Sequence, residues 1–90
     1  MTTAETLAEV KKLLGITTDF QDSILEGYVK EVKLFIIDAG VDTEIANSIA
    51  AIGVIARGVT DLWYYGAGEG KLSPYFYKRV IQLKNTKITN

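Results

Sequence analysis

Residues 45–63 carry an apolar pattern that a small chain can bury only inside a bundle of helices. Apolar side chains recur there at steps of three and four without a break, at Ile45, Ile49, Ile52, Ala56, Val59 and Trp63. This is the spacing of one helical face. Further apolar or small residues cover much of the remaining circumference, namely Ala51, Val54, Ile55, Gly58 and Leu62. A helix that is apolar almost all round is buried on more than one side. This segment is therefore predicted to be the central helix of a bundle, to present one side to a second subunit, or to do both.

Two glycines interrupt this apolar segment. Gly53 and Gly58 each cost about 1 kcal/mol relative to Ala in a helix interior. A cost of that size suggests that a neighbouring element, in the same chain or in another, comes close to the helix backbone at these two positions.

Start and stop signals divide the rest of the chain into three more helices. A Thr-x-x-Glu capping box opens the first helix, and Gly15 ends it. The second ends at Gly40, and Asp42 or Thr43 caps the third. Pro74, the only proline, follows Ser73 in the arrangement typical of a helix start. The predicted helices span residues 3–14, 19–39, 43–65 and 74–84.

The domain organisation that follows is one all-α domain over residues 1–90. Residues 66–72 contain three glycines and are predicted to form a hinge that leaves the last helix mobile, and residues 85–90 form a polar tail. The glycine-rich segment is not a phosphate-binding loop, because Tyr65 stands where that loop requires Gly and Leu72 where it requires Ser or Thr.

The composition excludes most catalytic chemistry. The chain has no Cys and no His, so it offers neither thiolate nor imidazole ligands and no Ser-His-Asp triad. Asp19, Asp22 and Glu26 share one face of the second helix, but acidic residues are favoured in the first turns of any helix. We therefore expect no enzyme activity, no metal site and no cofactor.

Charge is distributed unevenly along the chain. Residues 1–69 hold all 11 acidic residues against five basic ones, a net of −6, whereas residues 70–90 hold five basic residues and no acidic one, a net of +5. Such a chain suits docking of its C-terminal part onto an acidic partner, or head-to-tail association with another copy. A basic C-terminus that is merely solvated is the other interpretation.

Six of the nine aromatic residues lie within residues 63–77. We expect them to form the packed corner between the third and fourth helices. Three adjacent aromatic residues on one helix cannot all point inward, so some tyrosines must face water or a partner, where aromatic residues beside Arg are typical anchors. The predicted contact residues are Tyr75, Tyr77, Lys78, Arg79, Gln82 and Lys84.

The succession of these elements resembles the small head–tail connector proteins of tailed bacteriophages. The resemblance lies in residues 7–16 (Leu-Ala-Glu-Val-Lys-Lys-Leu-Leu-Gly-Ile), in the start of the second helix at residues 22–25, in the aromatic end of the third helix at residues 62–65, and in Leu-Ser-Pro at residues 72–74. One departure is that Val29 and Val32 stand where the family has small alanines.

The resemblance implies a structural protein of the phage neck. Such proteins form a ring, usually of twelve subunits, which joins the portal to the stopper or tail and lets DNA pass through its channel. It implies contacts of the last helix with the portal or a neighbouring subunit, no catalysis, and a location in the virion after synthesis in the host cytoplasm. We expect no signal peptide and no membrane span. A small DNA-binding or regulatory domain and a generic helical interaction module are the alternatives.

Overall fold

The computed structural model describes residues 1–65 and 72–86, and in these residues every regular element is helical. The elements are α1 (Thr3–Leu14), α2 (Asp22–Asp38), α3 (Thr43–Ala46), a 3₁₀ turn (Ile49–Ala51), α4 (Ile52–Tyr65) and α5 (Pro74–Lys84). The all-α prediction is confirmed. Of the predicted hinge, only Leu72 lies among the described residues, and it packs against the core. Of the tail, only Asn85 and Thr86 do.

The predicted caps are present at both ends of the chain. The Thr2 hydroxyl accepts a hydrogen bond from the Glu5 N–H, and the Glu5 carboxylate accepts one from the Thr2 N–H at 2.8 Å. Gly15 ends α1 with φ 73°, a left-handed conformation that Gly adopts at little cost. The Ser73 hydroxyl accepts from the Phe76 N–H at the start of α5.

The α1 cap makes stability depend on pH. The hydrogen bond from the Thr2 N–H holds the pKa of Glu5 below its usual 4.5. A carboxyl with a lowered folded-state pKa contributes stability above its unfolded pKa and loses it as the pH falls through the folded value. We expect Glu5→Gln to lower the thermal midpoint at pH 6, with the gap to the wild type closing as the pH falls below 4.5. Melting curves across that range test this, and a constant gap would contradict it.

The predicted third helix is not continuous, which corrects the sequence interpretation. Asp42 caps α3 as expected, but the chain leaves the helix at Asn47 and Ser48, where Ser48 is extended with φ −101° and ψ 170°. The Ser48 hydroxyl accepts from the Ala50 N–H and starts the helix again. Asn and Ser side chains compete with helical hydrogen bonds in this way.

A hydrogen bond from Lys33 connects α2 to the break between α3 and the 3₁₀ turn. Its side chain is buried, and Nζ donates to the side-chain oxygen of Asn47 at 3.0 Å. Burial lowers the pKa of Lys33, and the carboxylate of Glu5 partly opposes that effect. The break is therefore fixed by a contact between residues 14 positions apart in the chain.

The second helix also begins later than predicted, at Asp22 rather than at residue 19. Asp19 and Asp22 both accept hydrogen bonds from Lys11 Nζ, at 3.3 and 2.7 Å. Gln21 is the N-cap residue, and its side chain makes no capping bond. The Lys11 contacts tie the connecting turn to α1 and account for the late start.

The helices pack around a central pair formed by α2 and α4. Helix α1 contacts both members of this pair, and α5 runs beside α4 in the opposite direction. By helical spacing, the α4 residues that meet α5, such as Gly58 and Asp61, lie on the side opposite Val59 and Trp63, which face the end of α1. Helices α1 and α5 therefore cover different sides of the molecule.

The close approach predicted at Gly58 is present. A Cβ added there would lie 2.7 Å from Cε1 of Phe76 and 2.8 Å from Cγ1 of Val32. The valine that departs from the family pattern thus packs over a glycine. At Gly53, among residues 1–65 and 72–86, the nearest atom to an added Cβ is Nη2 of Arg79 at 3.6 Å, so these residues make no close approach there.

Helix α5 is part of the core. Its residues Phe76, Val80 and Leu83 are buried, and Phe76 is fully enclosed. Its predicted mobility stays a prediction, but removing this helix would uncover the core, so a deletion of residues 72–90 is a poor test of function. Substitutions on its outer surface are the better choice.

Candidate subunit and partner interface

Two arginines enclose Tyr75 on the surface between α4 and α5. The guanidinium of Arg57, on α4, lies 5.3 Å from the centre of the Tyr75 ring, and that of Arg79 lies 6.0 Å from it. Arg79 Nη1 also donates to the tyrosine hydroxyl at 3.2 Å. Each cation–π contact at an exposed site is worth about 0.5–1 kcal/mol. The three residues are called the arginine–tyrosine cluster below.

A buried carboxylate orients this cluster. Asp61 accepts a hydrogen bond from the Ser73 N–H at 3.0 Å and pairs with Arg57 Nε at 3.3 Å, and only 2% of its surface is exposed. Arg57 Nε also donates to the Ser73 hydroxyl. Asp61 therefore fixes both the start of α5 and the arginine that covers Tyr75. Sequence reasoning did not select Arg57 or Asp61, although their i, i+4 spacing on one helix predicts an ion pair.

Five of the six predicted contact residues divide between two edges of α5. Tyr75, Arg79 and Gln82 lie on the edge that faces α4, where Arg79 and Gln82 border a shallow depression of about 190 Å³. Lys78 is exposed and belongs to neither edge.

The other edge faces α2. Tyr77 packs on Phe35 there, with ring centres 5.7 Å apart, and the Lys84 side chain lies against Gly40. Both side chains remain exposed in part. The structure thus brings together three of the six residues on one edge and two on the other.

An apolar groove that sequence reasoning missed lies on the opposite side of the molecule. It has a volume of about 320 Å³ and opens between the end of α1, the start of α2 and the end of α4. Trp63 lines it and also meets the Tyr28 ring edge-on, with ring centres 6.3 Å apart. The groove is lined by Leu14, Ile16, Thr18, Gln21, Leu25, Val59, Thr60, Trp63 and Tyr64.

The rim of the groove exposes large apolar side chains. Tyr64, which lines the groove, is 77% exposed, and Phe20, in the turn between the lining residues Thr18 and Gln21, is 89% exposed. Leu14 and Trp63, which the helical spacing assigns to apolar faces, are 38% and 40% exposed. The sequence does hold a sign of this surface, because Phe20 stands in the polar turn between α1 and α2 and fits the core spacing of neither helix. Concentrated exposed apolar surface of this kind is typical of interaction sites.

The acidic residues considered for a cation pair with basic groups of the chain. Lys11 Nζ pairs with Asp19 and Asp22, and Lys30 pairs with Glu26 at 3.7 Å. The hydrogen bond that Lys11 donates to Asp22 raises the pKa of Lys11, so the ammonium stays charged. In residues 1–65 and 72–86, no group of three or more acidic side chains could hold a metal ion.

The chain matches the model of a protein family over residues 4–74, which is most of its length. The family is described as phage gp6-like head-tail connector protein. The chain belongs to this family. No curated protein and no solved structure matches it. The resemblance inferred from the sequence is confirmed, and the connector has a structural role in the phage neck.

The family match includes α1 to α4 and ends at the first residue of α5. The arginine–tyrosine cluster of this connector thus joins a helix inside the matched region to a helix outside it. Within the described residues, none of the connector's helices is long and apolar enough to span a membrane.

Proposed function

We propose that the protein is an adaptor subunit that forms a ring between the portal vertex of the head and the stopper or tail, with DNA passing through the ring. The observation that carries the proposal is the family match over residues 4–74, which spans the whole α1–α4 bundle. In this proposal the partners are other copies of the chain in a ring of about twelve subunits, the portal, and the stopper or tail protein. The protein acts in the virion and as a structural component, without catalysis.

The shape of the molecule supports a ring. Its apolar groove and its basic helix α5 lie on different sides, so a contact between them joins unlike surfaces of two copies. Contacts between two unlike surfaces of identical subunits repeat, and they close into a ring when the rotation divides a full turn. DNA passing through such a ring needs no base-specific contacts.

We further propose that the edge of α5 that faces α4 contacts the portal. Tyr75 and Arg79 present aromatic and cationic groups there, which are enriched in the centres of interfaces. They lie beyond the family match, where residues that suit one particular portal are expected. Replacing both by Ala should prevent binding to purified portals while circular dichroism stays unchanged.

A phage in which this reading frame is interrupted tests the proposed function. We expect it to yield DNA-filled heads without tails, and we expect the purified protein to restore infectivity when it is added to those heads. Bovine serum albumin at the same concentration serves as the control. Tailed, infective particles formed without the protein would contradict the proposal.

Native mass spectrometry separates the proposal from the alternative of a DNA-binding domain. A closed ring, alone or on the portal, supports the adaptor. A dimer whose DNA affinity falls steeply with salt supports the alternative, because phosphate contacts release counterions.

A further inference from the structure

The exposed apolar residues of the groove make it suitable for binding another protein surface. Tyr64 lines it and is more than three quarters exposed, and most of the other lining residues are apolar. The exposed Phe20 stands in the chain between the lining residues Thr18 and Gln21. Filling the groove would remove this apolar area from water, which favours binding. The question is which surface fills it.

The charges beside the groove favour a basic occupant. Asp19 directly follows Thr18 and Asp22 directly follows Gln21, two residues that line the groove. The Asp19 side chain is 93% exposed and that of Asp22 is 37% exposed, and both pair with the ammonium of Lys11. Two carboxylates against one ammonium leave this rim negative. A surface with exposed lysines therefore gains electrostatic complementarity there.

Helix α5 provides a surface of that kind. Ile81 is 59% exposed and Tyr77 43% exposed on the outward part of the helix, and Lys78 and Lys84 are exposed beside them. Residues 72–86 contain three basic residues and no acidic one. None of the ion pairs found in the described part of the chain uses Lys78 or Lys84.

The two surfaces cannot meet within one molecule, because α1 and α5 lie on different sides of α4. A groove set against the groove of another copy would bring two negative rims together, which opposes a symmetric dimer. We propose that the groove of one subunit binds the outer surface of α5 of the next subunit, around Tyr77 and Ile81, with Asp19 and Asp22 facing the lysines of that helix. This inference rests on the proposed ring and names the surfaces that build it.

Cysteine cross-linking tests this pairing cleanly, because the chain contains no Cys of its own. Thr18→Cys marks the groove and Ile81→Cys marks α5. In an equimolar oxidised mixture of the two single variants, we expect the mixed disulfide to form about tenfold faster than with a control. The control replaces Ile81→Cys by Leu34→Cys, whose parent side chain on α2 is 62% exposed and thus matches the 59% of Ile81.

Charge reversal provides a second measurement. Lys78→Glu together with Lys84→Glu should slow the cross-link about tenfold, and Asp19→Lys in the groove-bearing variant should restore it. Lys11 still holds Asp22 at 2.7 Å in that variant, so the turn is expected to keep its structure. Circular dichroism of each variant checks that it is folded.

The outcomes are distinct. A mixed disulfide that forms no faster than the Leu34 control, or a Thr18–Thr18 disulfide that predominates, would overturn the pairing. The variant carrying both cysteines should give a ladder of cross-linked oligomers when it is assembled on heads. Assembly on heads without such a ladder refutes the pairing and leaves the neck role intact, whereas infective particles formed without the protein refute the neck role itself.

Discussion

Phe76→Ala is expected to lower the free energy of unfolding by about 3–5 kcal/mol. The side chain is completely buried and contacts Phe35 at a ring-centre distance of 5.6 Å, besides covering Gly58. Its loss removes apolar burial and leaves a cavity that the surrounding rigid side chains fill only in part. Because a domain of this size is stable by about 5–15 kcal/mol, a loss of this size removes a large fraction of the free energy of unfolding.

Urea denaturation followed by circular dichroism measures this loss. Tyr75→Ala is the matched control, since Tyr75 is an aromatic residue of the same helix but is 51% exposed. We expect that control to cost about 1 kcal/mol, mainly from its contacts with the two arginines. Equal losses in the two variants would mean that α5 does not depend on Phe76 for its attachment.

Gly58→Val is expected to cost about 3 kcal/mol relative to Gly53→Val. Both changes replace Gly by Val within α4, so the helix propensity of valine cancels when the free energies of unfolding of the two variants are compared. At Gly58 the new Cβ would lie within 3 Å of Phe76 and of Val32, two side chains with no free space to move into. At Gly53, within the part of the chain that the structure describes, it would meet the flexible end of Arg79 at 3.6 Å.

The measurement is again the free energy of unfolding, with the two valine variants compared directly. Gly58→Val combined with Val32→Ala should recover part of the loss, because two of the three nearest atoms belong to Val32. Equal free energies of unfolding for the two valine variants would contradict the close approach of α5 and α2 to the backbone of α4.

Local chemistry made most of the helix ends predictable. The capping box at Thr2, the left-handed Gly15 and the Ser73 cap act within four residues of themselves, so their effect can be recognised in the sequence. The apolar spacing of residues 52–63 likewise reports directly which face of α4 is buried, because that face is set by the helical period.

Contacts between distant residues account for what the sequence did not predict. The break at Asn47 depends on Lys33, and the late start of α2 depends on Lys11. The division of the predicted contact residues between two edges of α5 depends on where α2 and α4 lie against that helix. The apolar groove arises only when three chain segments meet, so its residues look like ordinary core positions in the sequence.

The position of Trp63 gives the protein an optical reporter of its own assembly. It is the only tryptophan in the chain, it lines the groove, and 40% of its surface remains exposed to water. An indole that passes from water into an apolar contact emits at shorter wavelength. Occupation of the groove by another subunit would therefore shift the fluorescence to the blue, and the rate of subunit addition could be followed in real time without a dye.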